Sequence, residues 1–191
     1  MFSEAALELG PVLGAVGADA FALNDAITEI LKYSLLRRDP NSKTLEIHRL
    51  VQAVLKQGMD EATQRLWAER AVRAVDPLFP GMEFSTWACL RTACPPDTRL
   101  AELINQWGFG FPEAARLLNQ AGNYLSERGR YPEAEPLYER ALAIREKALG
   151  PEHPRVAISL ENYASLLRNM SRPEEGVPLE SRARAIRAKH A

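Results

Sequence analysis

Only two cysteines and three histidines occur in the 191 residues, which excludes a disulfide framework and leaves little material for a metal centre. Cys89 and Cys94 form a lone C-x4-C pair with no second pair and no histidine beside it, the pattern of reduced thiols in an intracellular setting. The phosphate-cradling pattern G-x-x-x-x-G-K-[ST] is absent, so nucleotide cannot be held by this chain alone. No apolar run approaches the roughly 18 residues needed to span a bilayer. Residues 1–22 are rich in Ala, Leu, Val and Gly, but they carry Glu4, Glu8 and Asp19 without a positive n-region and do not read as a signal peptide. Charge of either sign is not in excess: 24 Lys and Arg against 25 Asp and Glu give a net −1, which excludes a global basic field drawing in nucleic acid or acidic lipid. The histidines assemble no Ser/His/Asp or Cys/His arrangement. Glu133, Glu135, Glu139 and Glu146 fall on helix faces near Arg140 and Arg145, where ion pairing explains them. The expectation is a non-catalytic, cytoplasmic protein with no cofactor of its own and no membrane contact.

What is present is an internal repeat. Hydrophobic residues make up 46% of the chain, enough for a core. Shifting the sequence by 42 residues superposes Leu118–Lys147 on Leu160–Lys189 with 12 of 30 positions identical, where chance gives about two or three. Within the first copy Leu118, Ala121, Gly122 and Leu125 lie at helical spacing, followed by Ala134, Leu137, Tyr138, Ala141 and Ile144 on a second helix. Gly129 and Pro132 mark the turn between them, and Gly150-Pro151-Glu152-His153-Pro154 separates the copies. Small residues at Gly122, Ala134 and Ala141 allow the two helices to cross closely.

These residues, with the connector Leu149–Pro154 and the run Ala134–Ile144, resemble the tetratricopeptide repeat of the kinesin-light-chain-like variety over about residues 113–191. The second copy departs from the pattern: Gly176 stands for the small Ala, Glu180 for the aromatic, and Ser181 and Arg184 add polarity, as a terminal cap requires. The resemblance implies a concave face lined by the first helices that binds a peptide or protein. The outward positions are Asn119, Asn123, Ser126 and Glu127 in one copy, and Glu161, Ser165, Arg168 and Asn169 in the other. Asn can donate to and accept from a peptide backbone, and Arg168 suits an acidic partner.

Further toward the N-terminus, Leu23, Ile27, Ile30 and Leu31 predict a helix capped by Asn24 or Asp25. Residues 33–38 and 43–48 flank Asp39-Pro40-Asn41-Ser42 as strand, turn, strand, and residues 49–58 return to a helix ended by Gly58. Tyr33–Gly58 resembles the winged-helix segment of bacterial NB-ARC signalling proteins, and Ile47–Val51 resembles their methionine-histidine-aspartate motif, which implies a nucleotide-sensing role for His48. Ile47 and Arg49 differ from the usual flanks. Six basic residues between Lys32 and Lys56, Arg37, Arg38 and Lys43 among them, give an alternative: a DNA-binding winged helix whose repeats recruit partners or dimerise. Between the two ends, Ala62, Leu66, Trp67, Ala71, Val72 and Val75, then Leu90 and residues 100–107, predict degenerate helical hairpins that bury Trp67, Trp87 and Trp107.

The expected fold is mainly α: a winged-helix-like module with one β-hairpin (1–58), a helical connector (59–112), and two 42-residue repeats in an α-α superhelical array (113–191). The expected role is the sensor or adaptor arm of an NB-ARC-type switch, a C-terminal piece or truncated relative of a larger protein. ADP or ATP would enter only with a separate nucleotide-binding domain, in cis or in trans.

Overall fold

The computed structural model describes residues 16, 19–33, 36–39, 44–47, 49–76 and 98–190. The chain divides into two compact units, Met1–Pro95 and Pro96–Ala191, so the connector expected over 59–112 is shared between them.

In the first unit, α1 spans Ala20–Leu31. Its cap is Asp19, whose carboxylate accepts from the Phe21 amide at 2.9 Å, and not Asn24 or Asp25. The strands β1 (Leu36–Asp39) and β2 (Thr44–Ile47) pair antiparallel, with Leu36 opposite Ile47 and Asp39 opposite Thr44. Next come α2 (Arg49–Gln57) and α3 (Glu61–Val75). Asp60 caps α3 by accepting from the Thr63 amide at 2.8 Å.

The fold class corrects the expectation. Eight helices make up nearly all of the described structure, and the winged-helix-like module is not assembled among the described residues. A wing is a hairpin closed onto a helical core, yet α2 buries none of its residues. Leu50 is 70% exposed, Val54 67% and Phe21 of α1 85%. Among the described residues the two four-residue strands pair with each other, and β1 touches α1. Lys43, His48, Cys89, Trp87, Leu90 and Cys94 lie outside the described residues. Trp67 and Trp107 are half-buried, and the Arg70 guanidinium lies 5.1 Å from the Trp67 ring centroid.

The second unit is helical throughout: α4 (Thr98–Trp107), α5 (Pro112–Glu127), α6 (Tyr131–Leu149), α7 (Pro154–Asn169) and α8 (Pro173–Lys189). Proline at the first or second position starts each of the last four, where its missing N–H costs nothing. α5 pairs with α6 and α7 with α8 as helical hairpins, α4 packs on α5, and α7 packs on α6 and α5. Leu118, Leu125, Val156, Leu160, Leu166 and Leu167 are fully buried at this core, each contributing about 1.5–3 kcal/mol.

Two positions show how close the hairpins are. A Cβ on Gly122 would stand 3.0 Å from the Tyr138 ring, and one on Gly176 would stand 3.2 Å from the Ala164 carbonyl oxygen. The turn of the first hairpin holds Gly129 at φ +72°, and the matching turn of the second holds Ser171 at φ 59°.

Candidate partner-binding site

The seam between the hairpins decides which of the expected site residues are available. Asn119 is only 5% exposed, and its carbonyl accepts from the Asn162 amide at 3.3 Å. Asn123 accepts from the Tyr138 hydroxyl at 2.5 Å. The Tyr138 ring stacks on Tyr163 with centroids 6.4 Å apart, and the Tyr163 hydroxyl donates to Glu139 at 2.8 Å. Arg172 extends the chain of contacts to Glu135 at 2.8 Å and to Glu175 at 2.6 Å. Burial pushes the Tyr138 phenol well above its ordinary range, and the Glu127 carboxylate adds to the shift. Burial, then the hydrogen bond to Glu139, does the same to Tyr163.

Arg145 ties the same seam at its other end. It is 7% exposed and donates through one nitrogen to the Arg155 carbonyl at 3.2 Å and to the Ser159 hydroxyl at 2.5 Å. Burial, helped by the nearby Arg155 and Arg116 charges, brings its guanidinium down to about 10. A buried positive charge normally finds a carboxylate; this one is held by a carbonyl and a hydroxyl of α7.

Glu127, Ser165, Arg168 and Asn169 remain exposed. Ser165 and Arg168 line a cavity of about 440 Å³ between α7 and α8, together with Glu161, Glu180, Arg184 and Arg187. Arg187 grips Glu161 through both carboxylate oxygens at 2.6 Å, which raises the guanidinium above its ordinary range. Arg168 pairs with Glu180. The structure therefore separates the sequence-derived set: Asn119 bridges to the second hairpin and Asn123 is bonded within the first, while Ser165 and Arg168 reach a charged open cavity. Glu180, Arg184 and Arg187 were not among the expected site residues. Their signal was the second copy's loss of Tyr and Leu at positions 180 and 184.

Of the residues behind the DNA-binding alternative, Arg37 and Arg38 fall on β1 and Lys43 lies outside the described residues. His153 caps α7, its Nδ1 accepting from the Arg155 amide at 3.1 Å. Among the described residues no group of His, Cys, Asp and Glu gathers to hold a metal ion, and no helix is long and apolar enough to cross a membrane.

Comparison with known proteins fits this geometry. Residues 4–64 match a domain of unknown function (DUF7779). A nucleotide-binding leucine-rich repeat (NLR)-like protein of Hyaloscypha variabilis is 29% identical over 145 residues, covering 72% of this chain and 14% of that protein. The chain thus spans a small part of the length of that relative. Residues 113–189, the segment that forms the two packed hairpins, match the tetratricopeptide repeat model.

Proposed function

We propose that the protein is a non-catalytic scaffold that docks another protein or a peptide through the exposed face of its second repeat, at Ser165, Arg168 and Asn169, with Glu127 on the first. The observation that carries this reading is the charged cavity between α7 and α8, open to solvent beside a hydrogen-bonded inter-repeat seam. Tetratricopeptide repeats generally mediate protein interactions, and the NLR-like relative supports a place as the adaptor or sensor arm of an NB-ARC-type signalling protein. The repeats are of the kinesin-light-chain-like variety in this reading. The nucleotide-binding domain belongs to the same polypeptide or to a separate one, and ADP or ATP is held there.

The test is affinity capture from a lysate of the source cell after nuclease treatment, comparing wild type with Ser165→Tyr/Arg168→Glu. Both residues are exposed, so the fold should persist, with an unchanged helical circular-dichroism signal. Loss of a protein retained by wild type is the expected result. Retention of the same proteins by both would refute the assignment of this face.

A further inference from the structure

The 42-residue shift identifies the cavity with a place in the first repeat that is already filled. It carries Asn119, Asn123, Ser126, Tyr138, Leu142 and Arg145 onto Glu161, Ser165, Arg168, Glu180, Arg184 and Arg187, the six residues that line the cavity. In the first repeat that surface seats α7. Asn119 meets Asn162, Tyr138 stacks on Tyr163, Arg145 holds Ser159, and Leu142 packs against the cluster containing Val156, Ala157 and Leu160. The molecule therefore contains its own example of what such a surface receives, which is a helix crossing the hairpin.

Three changes alter what the second copy can receive. Glu161 replaces Asn119, Glu180 replaces Tyr138, and Arg184 replaces Leu142. Glu161 is matched by Arg187, and Glu180 by Arg168. Arg184 is exposed and makes no ion pair among the described residues, the carboxylates nearest it in the cavity, Glu161 and Glu180, being taken by Arg187 and Arg168. Three guanidiniums thus face two carboxylates. A helix with an apolar contact stripe like that of α7 would bury Arg184 while both cavity carboxylates are engaged by other guanidiniums, which is unfavourable. A helix bringing a carboxylate to that point would complete the set.

We infer that the α7–α8 face docks an α-helix of a partner protein, and that this helix presents an acidic side chain to Arg184. The inference rests on the scaffold function proposed above and names the partner's chemistry at the same site.

The experiment uses the full chain and two helix-stabilised peptides. One copies Pro154–Asn169, the helix that fills the equivalent place. The other carries Leu160→Glu, which puts a carboxylate on the stripe that faces Leu142 in the first repeat. Wild type should bind the acidic peptide roughly tenfold more tightly, the size of one charge-assisted contact, with the preference shrinking as salt is added. Arg184→Leu restores the first repeat's residue and should reverse the preference, while Arg184→Lys should keep it. Equal binding of both peptides by wild type, or an unchanged order in Arg184→Leu, overturns the inference. If that happens while Ser165→Tyr/Arg168→Glu still loses its captured protein, the acidic helix is refuted and the scaffold function stands.

Discussion

The stacked pair Tyr138 and Tyr163 should make stability depend on pH in the alkaline range. Tyr138 is 2% exposed, and its phenol stays protonated in the fold far above pH 10. In the unfolded chain it ionises near 10. Above that pH the unfolded state binds fewer protons than the folded one, so stability falls by about 1.4 kcal/mol per pH unit for one such phenol. The stabilising contribution is complete below pH 10 and is lost as pH climbs toward the folded-state value. Tyr163 acts in the same sense but less, being more exposed. Arg145 acts oppositely: its folded-state value of about 10 lies below the unfolded one, so its contribution rises with pH over the same range.

The informative quantity is therefore the difference between wild type and Tyr138→Phe, from which the Arg145 term cancels. At neutral pH the variant lacks the bond to Asn123 and should be about 1 kcal/mol less stable. That deficit shrinks by about 1.4 kcal/mol per unit above pH 10, so the variant becomes the more stable near pH 11. Urea denaturation followed by far-ultraviolet circular dichroism between pH 8 and 11.5 measures both curves. A gap that stays constant across that range would refute the assignment of a protonated, desolvated phenol to this seam.

Other outcomes follow from the same contacts. Ser171→Gly should raise the melting temperature, because Ser171 sits at φ 59° where the first repeat has Gly129, and relief of that conformation is worth about 1 kcal/mol. Arg145→Ala should cost about 2 kcal/mol, since two hydrogen bonds from a charged donor are lost, whereas the same change at its repeat mate Arg187, which is 59% exposed, should leave thermal denaturation unchanged. Asn119→Ala should cost about 1 kcal/mol and leave partner capture intact, separating a seam residue from the docking face.

The second unit was legible because its signals are local. Gly129, Pro132 and Pro154 punctuate, and Leu118, Leu125, Leu160 and Leu167 recur at one helical stripe and again 42 residues later. The start of α1 was misplaced because Asn24 and Asp25 are good capping residues that lie inside the helix, while Asp19 makes the bond. The winged-helix expectation went further than its local signal, which carried only the paired strands β1 and β2. A change of period at residues 33–48 announces extended backbone, but whether α1 and α2 close over it depends on tertiary contacts that no local pattern encodes. The burial of Asn119 was equally hidden, since its partner Asn162 is 43 residues away. The altered character of the α7–α8 face, by contrast, could be read directly by setting Tyr138 against Glu180 and Leu142 against Arg184.

The seam between the two hairpins also fixes an angle. A contact made only of methyl groups tolerates sliding by a fraction of a turn, because dispersion is non-directional. Here Arg145 reaches one carbonyl and one hydroxyl, Asn119 meets Asn162, and Tyr163 is held between its stacked neighbour and Glu139. Directional bonds at separate points along α7, from Arg155 to Tyr163, leave one setting that satisfies them all, as two pins do where one would leave a pivot. The hairpins should then move as a single stiff lever, so that a load applied at the α7–α8 end reaches α5 without being absorbed between them.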